Sequence, residues 1–373
     1  MKSLTALLLL LLPLATIKAQ SLPTTLETYV DSLFRTSNFP GVSLAVILPN
    51  DKALTVVRGK ADVENNIALT AQHRLLAGSI GKTFVAATAL KLVQNGKLKL
   101  DEPIRTYLGD EIWFDSLPNA REITVRMLLN HTSGIPEHVQ NEAFLKHVAG
   151  NPDKIWQPLE LIRFIFGKGA FDAGKDWGYA DTNYIVLGMI MEKITGKKYY
   201  ALANELVLKK LKLKDIIPSD RRKLPKVATG YSRPGSPFIV EGAMIQQGSF
   251  LINPQLEWTG GGYATTPTDL VRWAKALYTG KVLSPAMLTE MLQGVPSKLG
   301  KNLYGLGVII GEGELGKTYG HSGWFPGYVS EVRYYPQYDF ALAIQFNTDD
   351  MSQVKGFGRF LNPIAEFVAK EIK

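Results

Sequence analysis

The sequence contains no cysteine among its 373 residues. Without a thiol the chain cannot perform thiolate catalysis, ligate zinc through cysteine, or carry a lipid on a cysteine near its N-terminus. Disulfides are excluded as well, but a chain of this length buries a core large enough to be stable without them. The absence therefore removes several function classes without arguing against an exported protein.

Histidine is scarce and repeats are missing. The five histidines show no H-E-x-x-H or comparable ligand spacing, so no metal site is expected. No low-complexity tract or repeat of about 20 to 50 residues is present, which argues against a solenoid or a propeller. With 46% hydrophobic and 20% charged residues, the composition is that of an ordinary globular protein.

The first 19 residues are predicted to be a signal peptide. Lys2 gives a positive start, residues 4–17 form an apolar run, and Ala19 supplies a small residue before the expected cleavage site. The run is shorter than the roughly 20 residues of a membrane span, and a retained N-terminal anchor is the alternative. We therefore expect an exported protein, periplasmic or secreted, with no stable membrane span after signal cleavage.

Charge gives a weaker indication of partners. Removal of residues 1–19 would leave 40 Lys and Arg against 34 Asp and Glu, a formal net charge of +6. This modest excess could favour an anionic envelope or polymer, but no long basic run accompanies it. A nucleic-acid partner is therefore not expected.

The order of predicted elements indicates an α+β fold. Strand-like segments lie towards both ends of the chain, and the middle is mostly helical. The predicted strands cover residues 41–48, 53–59, 304–310, 328–335 and 340–346, and the clearest helices cover residues 24–36, 83–94, 183–195 and 360–372. We expect an antiparallel sheet built from both chain ends and flanked by helices, with a mostly helical lobe inserted.

In this interpretation residues 20–373 form one domain. The sheet lobe takes about residues 22–95 and 255–373, and the helical lobe about residues 96–254. A cleft between two such lobes is a usual place for a functional site.

Ser79 and Lys82 form an S-x-x-K motif just ahead of the helix predicted over residues 83–94. A spacing of three places both side chains on one face of a helical turn, where free N–H groups favour a developing negative charge. A serine hydroxyl needs a nearby base, and a desolvated lysine could help to supply it. The motif alone is weak, because serine often merely caps a helix and a second match at Ser352 and Lys355 is interpreted as chance.

Two other motifs that end near these residues both fail. A phosphate-binding P-loop would need its first glycine where Leu76 stands, so the loop would lose its sharp turn. The nucleophile elbow G-x-S-x-G would need a glycine where Ala77 stands. Both readings are therefore rejected.

Two further motifs follow Ser79. Tyr179-Ala-Asp181 precedes a predicted helix, and His321-Ser-Gly323 lies in a strand-like stretch. With these motifs the chain resembles the serine β-lactamases, the class C-type penicillin-binding proteins (including D-Ala-D-Ala carboxypeptidases) and the related family VIII-type esterases, which carry S-x-x-K, Y-x-N and [KH]-x-G in this order. Other stretches that look like the same family begin at Leu128, Ala228, Gly261 and Tyr304, and the resemblance runs from about residue 41 to residue 346.

The resemblance implies a role for each matched residue. Ser79 would be the nucleophile, and Tyr179 the general base, its phenolate stabilised by Lys82. His321 would replace the third-motif lysine and either polarise Tyr179 or meet a substrate carboxylate. The backbone N–H groups of Ser79 and Trp324 would form the oxyanion hole. No metal or organic cofactor is implied.

Each assignment has a structural alternative. Tyr179 lies among other aromatic residues and could be packed in the core. His321 could be a strand histidine whose neighbours satisfy its ring nitrogens. His131 is interpreted as structural, with a loop hydrogen bond near a turn at Ser133 and Gly134.

Asp181 and Gly323 are expected to bind or support the substrate, and Asp181 departs from the family pattern. An asparagine amide can donate a hydrogen bond to a substrate carbonyl, whereas an ionised aspartate can only accept one. Asp181 would instead pair with Lys82 and keep it protonated. This shifts the expectation from penicillins and D-alanyl-D-alanine peptides towards simple esters or unusual amides.

The sequence therefore predicts an exported serine hydrolase that acts on amide or ester bonds through a Ser79 acyl-enzyme. Esterase, D-amino-acid peptidase or carboxypeptidase, and β-lactamase activities remain open, and the partner would be a small molecule or peptide, possibly cell-wall peptide. The alternative from another class is a catalytically impaired sensor or scaffold that binds muropeptides or penicillin. Asp181 is the residue that keeps this alternative open.

Overall fold

The computed structural model describes residues 21–238, 240–352 and 358–372. Twelve α-helices lie within these ranges, and 3-10 or π turns extend several of them. The helices are α1 (Leu22–Arg35), α2 (Lys82–Gln94), α3 (Arg105–Leu108), α4 (Val125–Asn130), α5 (Glu142–Gly150), α6 (Pro158–Ile162), α7 (Asp181–Thr195), α8 (Tyr199–Ala203), α9 (Lys209–Leu211), α10 (Pro267–Tyr278), α11 (Pro285–Met291) and α12 (Gly358–Ile372).

Strands from both ends of the chain form one antiparallel sheet. Its nine strands follow the order β11-β12-β13-β14-β15-β16-β1-β2-β3. They are β1 (Gly41–Ile47), β2 (Ala53–Asp62), β3 (Ile67–Ala68), β11 (Val295–Pro296), β12 (Leu303–Tyr304), β13 (Ile309–Gly313), β14 (Gly316–Phe325), β15 (Tyr328–Tyr335) and β16 (Phe340–Phe346). The short strands β4 to β10 form small separate sheets and span Leu75–Leu76, Ile217–Pro218, Tyr231–Ser232, Gly242–Ala243, Ile245–Gln246, Ser249–Phe250 and Tyr263–Thr265.

The join between the two chain ends lies at the centre of the sheet. Strand β1 pairs with β16 on one side and with β2 on the other, and every residue of β1 and β16 is buried. Side chains alternate between the faces: Val42 and Leu44 enter the core beneath α1 and α12, whereas Ala45 and Ile47 enter the larger core that contains α2 and α10. Helices cover both faces, so the α+β fold predicted from the sequence is confirmed.

One predicted strand is wrong. Residues 304–310 do not form a single strand, because β12 ends at Tyr304 and β13 begins only at Ile309. Gly307 between them has a φ of +76°, a left-handed conformation that interrupts a strand and favours glycine. The segment instead bonds to its surroundings, with Leu306 N–H donating to the carbonyl of Met291.

Two parts of the sequence interpretation stay predictions. The signal peptide of residues 1–19 lies outside the described residues. The lobe boundaries near residues 95 and 255 also remain a prediction, although the long strands come from the two outer segments. Within the described ranges, no helix combines the length and the apolar character needed to cross a membrane.

Candidate active site

Ser79 lies on a 3-10 turn, Gly78–Gly81, that runs directly into α2. The glycines of this turn let other backbone segments approach closely. A Cβ atom on Gly78, whose φ is +53°, would lie 2.5 Å from the backbone nitrogen of Trp324, and one on Gly81 would lie 1.8 Å from the carbonyl oxygen of Gly261. Ser79 is therefore held between β14 and the segment that contains Gly261.

Lys82 is completely buried below Ser79. Its ammonium donates to Ser79 Oγ at 3.1 Å, to the Gly260 carbonyl oxygen at 2.5 Å and to the Asp181 carboxylate. Burial, the largest single cause, lowers the pKa of Lys82, but the charge and hydrogen bond of Asp181 together with the contact to Tyr179 raise the pKa above its ordinary value overall. An ammonium has three N–H donors, and all three are used, so Lys82 is in no position to accept the proton of Ser79.

Asp181 is the first residue of α7. Besides pairing with Lys82, it donates its own backbone N–H to Glu137 Oε2 at 2.5 Å. Burial raises the pKa of Asp181, and the Lys82 ammonium opposes this rise. The aspartate thus acts as an acceptor for Lys82, as the sequence predicted.

The Tyr179 hydroxyl is buried and makes no hydrogen bond of good geometry within the described part of the chain. Its polar neighbours are Lys82 and Ser79, and Lys82 Nζ lies 4.9 Å from the centre of the ring. Burial raises the pKa of Tyr179 to about 12, although the Lys82 ammonium opposes this rise. A buried hydroxyl without a well-formed hydrogen bond is costly in a core, and Lys82 and Ser79 are the groups closest to forming one with Tyr179.

The backbone of β14 passes next to the turn that carries Ser79. A Cβ atom on Gly323 would lie 1.8 Å from the carbonyl oxygen of Ala77, so a glycine is required there. The Trp324 backbone nitrogen lies against Gly78, the residue before Ser79. The Trp324 backbone nitrogen is therefore close to the turn that carries Ser79, and the oxyanion hole stays a prediction.

His321 has partners that the sequence did not predict. Its Nε2 lies 2.8 Å from the Tyr304 hydroxyl, and its Nδ1 lies 2.6 Å from the Ser322 carbonyl oxygen and so carries the ring proton. Burial lowers the pKa of His321 to about 3, with the Lys82 charge adding to the effect. The ring is therefore neutral at physiological pH and offers no positive charge to Tyr179 or to a substrate carboxylate.

His131 has the structural role expected from the sequence. It ends α4 in the left-handed conformation, with a φ of 64°, and it is completely buried. Its Nδ1 lies 3.0 Å from the side-chain amide of Asn183 and accepts the N–H of Ala180 at 3.3 Å, and its Nε2 lies 3.3 Å from the Tyr304 hydroxyl. The Tyr304 hydroxyl thus connects His131 to His321, and His131 also contacts the start of α7.

Two carboxyl groups near Ser79 were missed by sequence reasoning. Glu137 accepts the backbone N–H groups of Asp181 and Val139. Burial raises its pKa, but His138 and these hydrogen bonds lower it below the ordinary value overall. Glu257 lies in the 3-10 segment Pro254–Gly260. The sequence of this segment has no helical or strand periodicity, so no pattern indicated that Glu257 would be buried.

The cavity that Ser79 lines has a volume of about 280 Å³. Its polar lining comes from Ser79, Glu137, His138, Gln140, Tyr179, Asp181 and Glu257, and its apolar lining comes from Val139, Phe238, Leu256, Trp324, Phe325 and Pro326. A larger cavity of about 580 Å³ lies along β13 to β15 and beside α12; His321 lines this cavity and not the smaller one, and Ser79 does not line it. Within the described ranges, no group of three or more His, Asp or Glu residues is arranged to hold a metal ion.

Solved structures of known proteins have a similar fold. The D-amino acid amidase from Ochrobactrum anthropi SV3, in complex with D-phenylalanine, has a TM-score of 0.80 at 26% identity, covering 94% of this chain and 99% of that one. A D-stereospecific amidohydrolase from Streptomyces sp. has a TM-score of 0.74 at 27% identity, covering 88% and 94%.

Curated sequences point to the same group. A penicillin-binding protein of Bacillus subtilis (strain 168) is 24% identical over 288 residues, which is 72% of this chain and 60% of that protein. The chain spans only 60 to 62% of the length of the first curated relatives it matches. The model of the Beta-lactamase family matches residues 26–359, nearly the whole chain. The chain therefore belongs to the beta-lactamase family.

Proposed function

We propose that the protein hydrolyses amide or ester bonds through an acyl-enzyme on Ser79. The observation that carries this proposal is the group of three side chains at the cavity floor. The Ser79 hydroxyl accepts a hydrogen bond from the buried Lys82 ammonium, and the unpaired Tyr179 hydroxyl lies beside both. A nucleophile, a fixed positive charge and a group able to move a proton are what acyl transfer requires.

In the acylation step, Ser79 Oγ forms a bond to the substrate carbonyl carbon. The serine proton passes to the Tyr179 oxygen and from there to the leaving nitrogen or oxygen, whose bond to carbon breaks. Water then attacks the acyl carbon, the bond between Ser79 Oγ and that carbon breaks, and the proton of the water passes through Tyr179 to Ser79. Backbone N–H groups of Ser79 and Trp324 would stabilise the negative oxygen in both steps.

Tyr179 is assigned as the base because Lys82 donates in all three directions. Since the pKa of Tyr179 is about 12, the phenolate is the minor form at neutral pH. Proton transfer should therefore limit turnover, and kcat for a simple ester should rise with pH between about 6 and 9.

The charges of the cavity favour a substrate with a free amine. Asp181 is paired with Lys82, whereas Glu137 lies 3.2 Å from the His138 ring and accepts two backbone N–H groups, so Glu137 is the carboxylate of the cavity that Lys82 does not pair with. Such a site attracts an ammonium and repels a carboxylate. Because His321 is neutral and bound to Tyr304, it does not compensate for this repulsion.

We infer that amino-acid amides and esters fit the site better than penicillins or peptides that end in D-alanine carboxylate. The apolar wall of Phe238, Leu256, Trp324 and Phe325 suits an apolar or aromatic side chain. The similarity to amidases that act on D-amino acids supports the D configuration. A cell-wall peptide with a free amine near its scissile bond would also satisfy these requirements.

Intact-mass spectrometry tests the proposal. The protein is exposed briefly to D-phenylalanine ethyl ester and, separately, to benzylpenicillin, with Ser79→Ala beside it. We expect a Ser79-dependent adduct or turnover with the ester and little or none with the penicillin. Turnover in folded Ser79→Ala would refute the nucleophile, a penicillin adduct alone would refute the substrate class, and ligand binding without turnover would favour the sensor or scaffold.

We also propose export to the periplasm or the medium, on the basis of residues 1–19. N-terminal sequencing of the protein from fractionated cells tests this directly. A chain that begins after residue 19 outside the cytoplasm is expected, and an uncleaved chain held in the membrane fraction would contradict it.

A further inference from the structure

Glu257 is a buried carboxyl group in the same cavity as Ser79. Only 8% of the residue is exposed, and within the described residues its Oε2 has no hydrogen-bond partner. The carboxyl accepts one hydrogen bond, from the backbone N–H of Gly262. Glu257 thus lines the cavity of Ser79 with a carboxyl group that is not fully hydrogen-bonded to the described residues.

The backbone around Glu257 is held firmly in place. Trp258 has a φ of 36° and a ψ of −118°, a conformation that side chains other than glycine rarely adopt. Its ring packs against α7 so closely that a Cβ atom on Gly188 would lie 2.8 Å from it. Two residues later, the Gly260 carbonyl oxygen accepts a hydrogen bond from the Lys82 ammonium. Packing on α7 and the bond to Lys82 thus fix Glu257 relative to Ser79.

The groups that face Glu257 keep its proton in place. Asp181 at the start of α7 and Lys82 on α2 act on it with opposite charges, and Tyr200 on α8 is a further neighbour. Burial is the largest cause and raises the pKa of Glu257 to about 8, although the Gly262 N–H and Lys82 oppose the rise. At neutral pH the group is therefore mainly a carboxylic acid, which has an O–H to donate.

Asp181 cannot supply a hydrogen-bond donor to the substrate. Its carboxylate is committed to the Lys82 ammonium and has no proton to donate to a substrate carbonyl. The other carboxylate of the cavity, Glu137, is held ionised by backbone N–H groups and is equally unable to donate. Glu257 is thus the carboxyl of the cavity that is suited to be a hydrogen-bond donor.

We propose that Glu257 is a specificity-determining residue whose protonated carboxyl donates a hydrogen bond to a substrate carbonyl oxygen on the acyl side of the scissile bond. The substrates it favours are short peptides or peptidyl esters, in which an amide precedes the residue that is cleaved. This assignment rests on the proposed function, because it needs an acyl group on Ser79.

The test compares two esters with the same leaving group. Glycyl-D-phenylalanine ethyl ester has the additional carbonyl, and D-phenylalanine ethyl ester lacks it. The readout is the ratio of kcat/KM for the first to kcat/KM for the second, in which steps common to both substrates cancel. Glu257→Leu removes the donor, Glu257→Gln keeps an uncharged N–H donor of similar size, and Glu122→Leu at an exposed position is the matched control.

We expect the ratio to fall about tenfold in Glu257→Leu, since a lost hydrogen bond to substrate has about that effect. It should stay within about threefold of the original in Glu257→Gln and be unchanged in Glu122→Leu. Titration of the substrates' own amines affects both proteins alike, so the ratio in the unmodified protein is divided by the ratio in Glu257→Gln. This quotient should fall as pH rises through about 8, where Glu257 loses its proton.

Several outcomes would overturn the assignment. An unchanged ratio in Glu257→Leu would do so, and equal losses in the leucine and glutamine variants would indicate a carboxylate acting as an anion. If Glu257→Leu does not fold, a quotient that does not change through pH 8 is sufficient to reject the donor. Absence of Ser79-dependent turnover of either ester would instead overturn the proposed function and, with it, this assignment.

Discussion

A double-mutant cycle on Lys82 and Asp181 tests whether the site is built on a buried ion pair. Lys82 is completely buried, and the Asp181 side chain is 19% exposed. Removing one partner of a buried pair costs roughly 3–5 kcal/mol because the other charge remains without compensation. An asparagine can still accept one hydrogen bond from the ammonium, so for Asp181→Asn we expect the lower limit, about 3 kcal/mol.

The double variant should recover most of this loss. In Lys82→Met combined with Asp181→Asn, no charge of the pair remains buried, and the free energy of unfolding should lie within about 1 kcal/mol of the original. Urea unfolding followed by far-UV circular dichroism measures all four proteins. The exposed pair of Arg121 and Asp115 serves as a control cycle and should show no measurable coupling.

The pH dependence of the free energy of unfolding provides an independent test of this prediction. In the unmodified protein the pKa of Lys82 lies above 10.5, so its stabilisation is complete below pH 10.5 and is lost as pH rises through the folded-state pKa. In Asp181→Asn burial remains and the attraction of the aspartate is gone, so the pKa should fall below 10.5. That variant should therefore gain stability as pH rises from 7 towards 10.5, and the difference between the two proteins should narrow.

Two results would refute the reasoning. Equal stability of Asp181→Asn and the unmodified protein at pH 7 would mean that Lys82 is not held as a buried ammonium by this partner. A stability difference that stays constant up to pH 10 would show that the loss in Asp181→Asn comes from packing or hydrogen bonding and not from charge.

Three further expectations follow from individual contacts. Tyr179→Phe should lower kcat by about 10²- to 10⁴-fold while leaving the melting temperature unchanged or slightly higher, because the deleted hydroxyl is buried and unpaired; a matched loss of stability would indicate a structural hydroxyl. His321 has a folded-state pKa of about 3, below its unfolded value, so its stabilisation is present above about pH 6.5 and is lost as pH falls towards 3. His321→Gln should therefore flatten the acid side of the stability profile by up to about 1.4 kcal/mol per pH unit, measured by urea unfolding, and an identical slope would contradict the burial argument. Gly323→Ala should lower both the melting temperature and the ester turnover, because its Cβ would meet the Ala77 carbonyl at 1.8 Å; normal activity in this variant would mean that β14 need not touch the turn before Ser79.

The parts of the fold that follow local rules could be predicted from the sequence. Strands β15 and β16 have the predicted bounds, because nearly continuous apolar runs between turn residues are typical of buried strands. Helix α10 follows a local rule as well: Pro267 is its first residue, and the Thr266 hydroxyl accepts the N–H of Asp269 at 3.3 Å. The interruption at Gly307 was missed because it depends on a contact with α11, which residues 304–310 alone do not reveal.

The candidate site divides in the same way. Ser79 and Lys82 lie at the junction of one turn with α2, and Asp181 begins α7. The spacing of the motifs was therefore sufficient to predict the local positions of these three residues. The partners of His321 could not be foreseen, because Tyr304 arrives from another strand two places along the sheet. The position of Glu257 could not be predicted either, because the next residue, Trp258, has a φ of 36°, and neither pattern nor propensity predicts a positive φ for a tryptophan.

The three carboxyl groups around one ammonium explain one another's protonation. Lys82 is kept charged mainly by Asp181, and Glu137 is kept ionised by His138 and by backbone N–H groups. Glu257 is buried, and an ionised Glu257 would also be repelled by Asp181. Both effects raise the pKa of Glu257, so it retains its proton. Replacing the usual asparagine with Asp181 therefore has two linked effects: it removes a donor at position 181 and, by its charge, helps to keep one at Glu257. For this reason Asp181→Asn should lower the pH at which the peptidyl-ester preference is lost, and an unshifted midpoint would show that burial alone keeps Glu257 protonated.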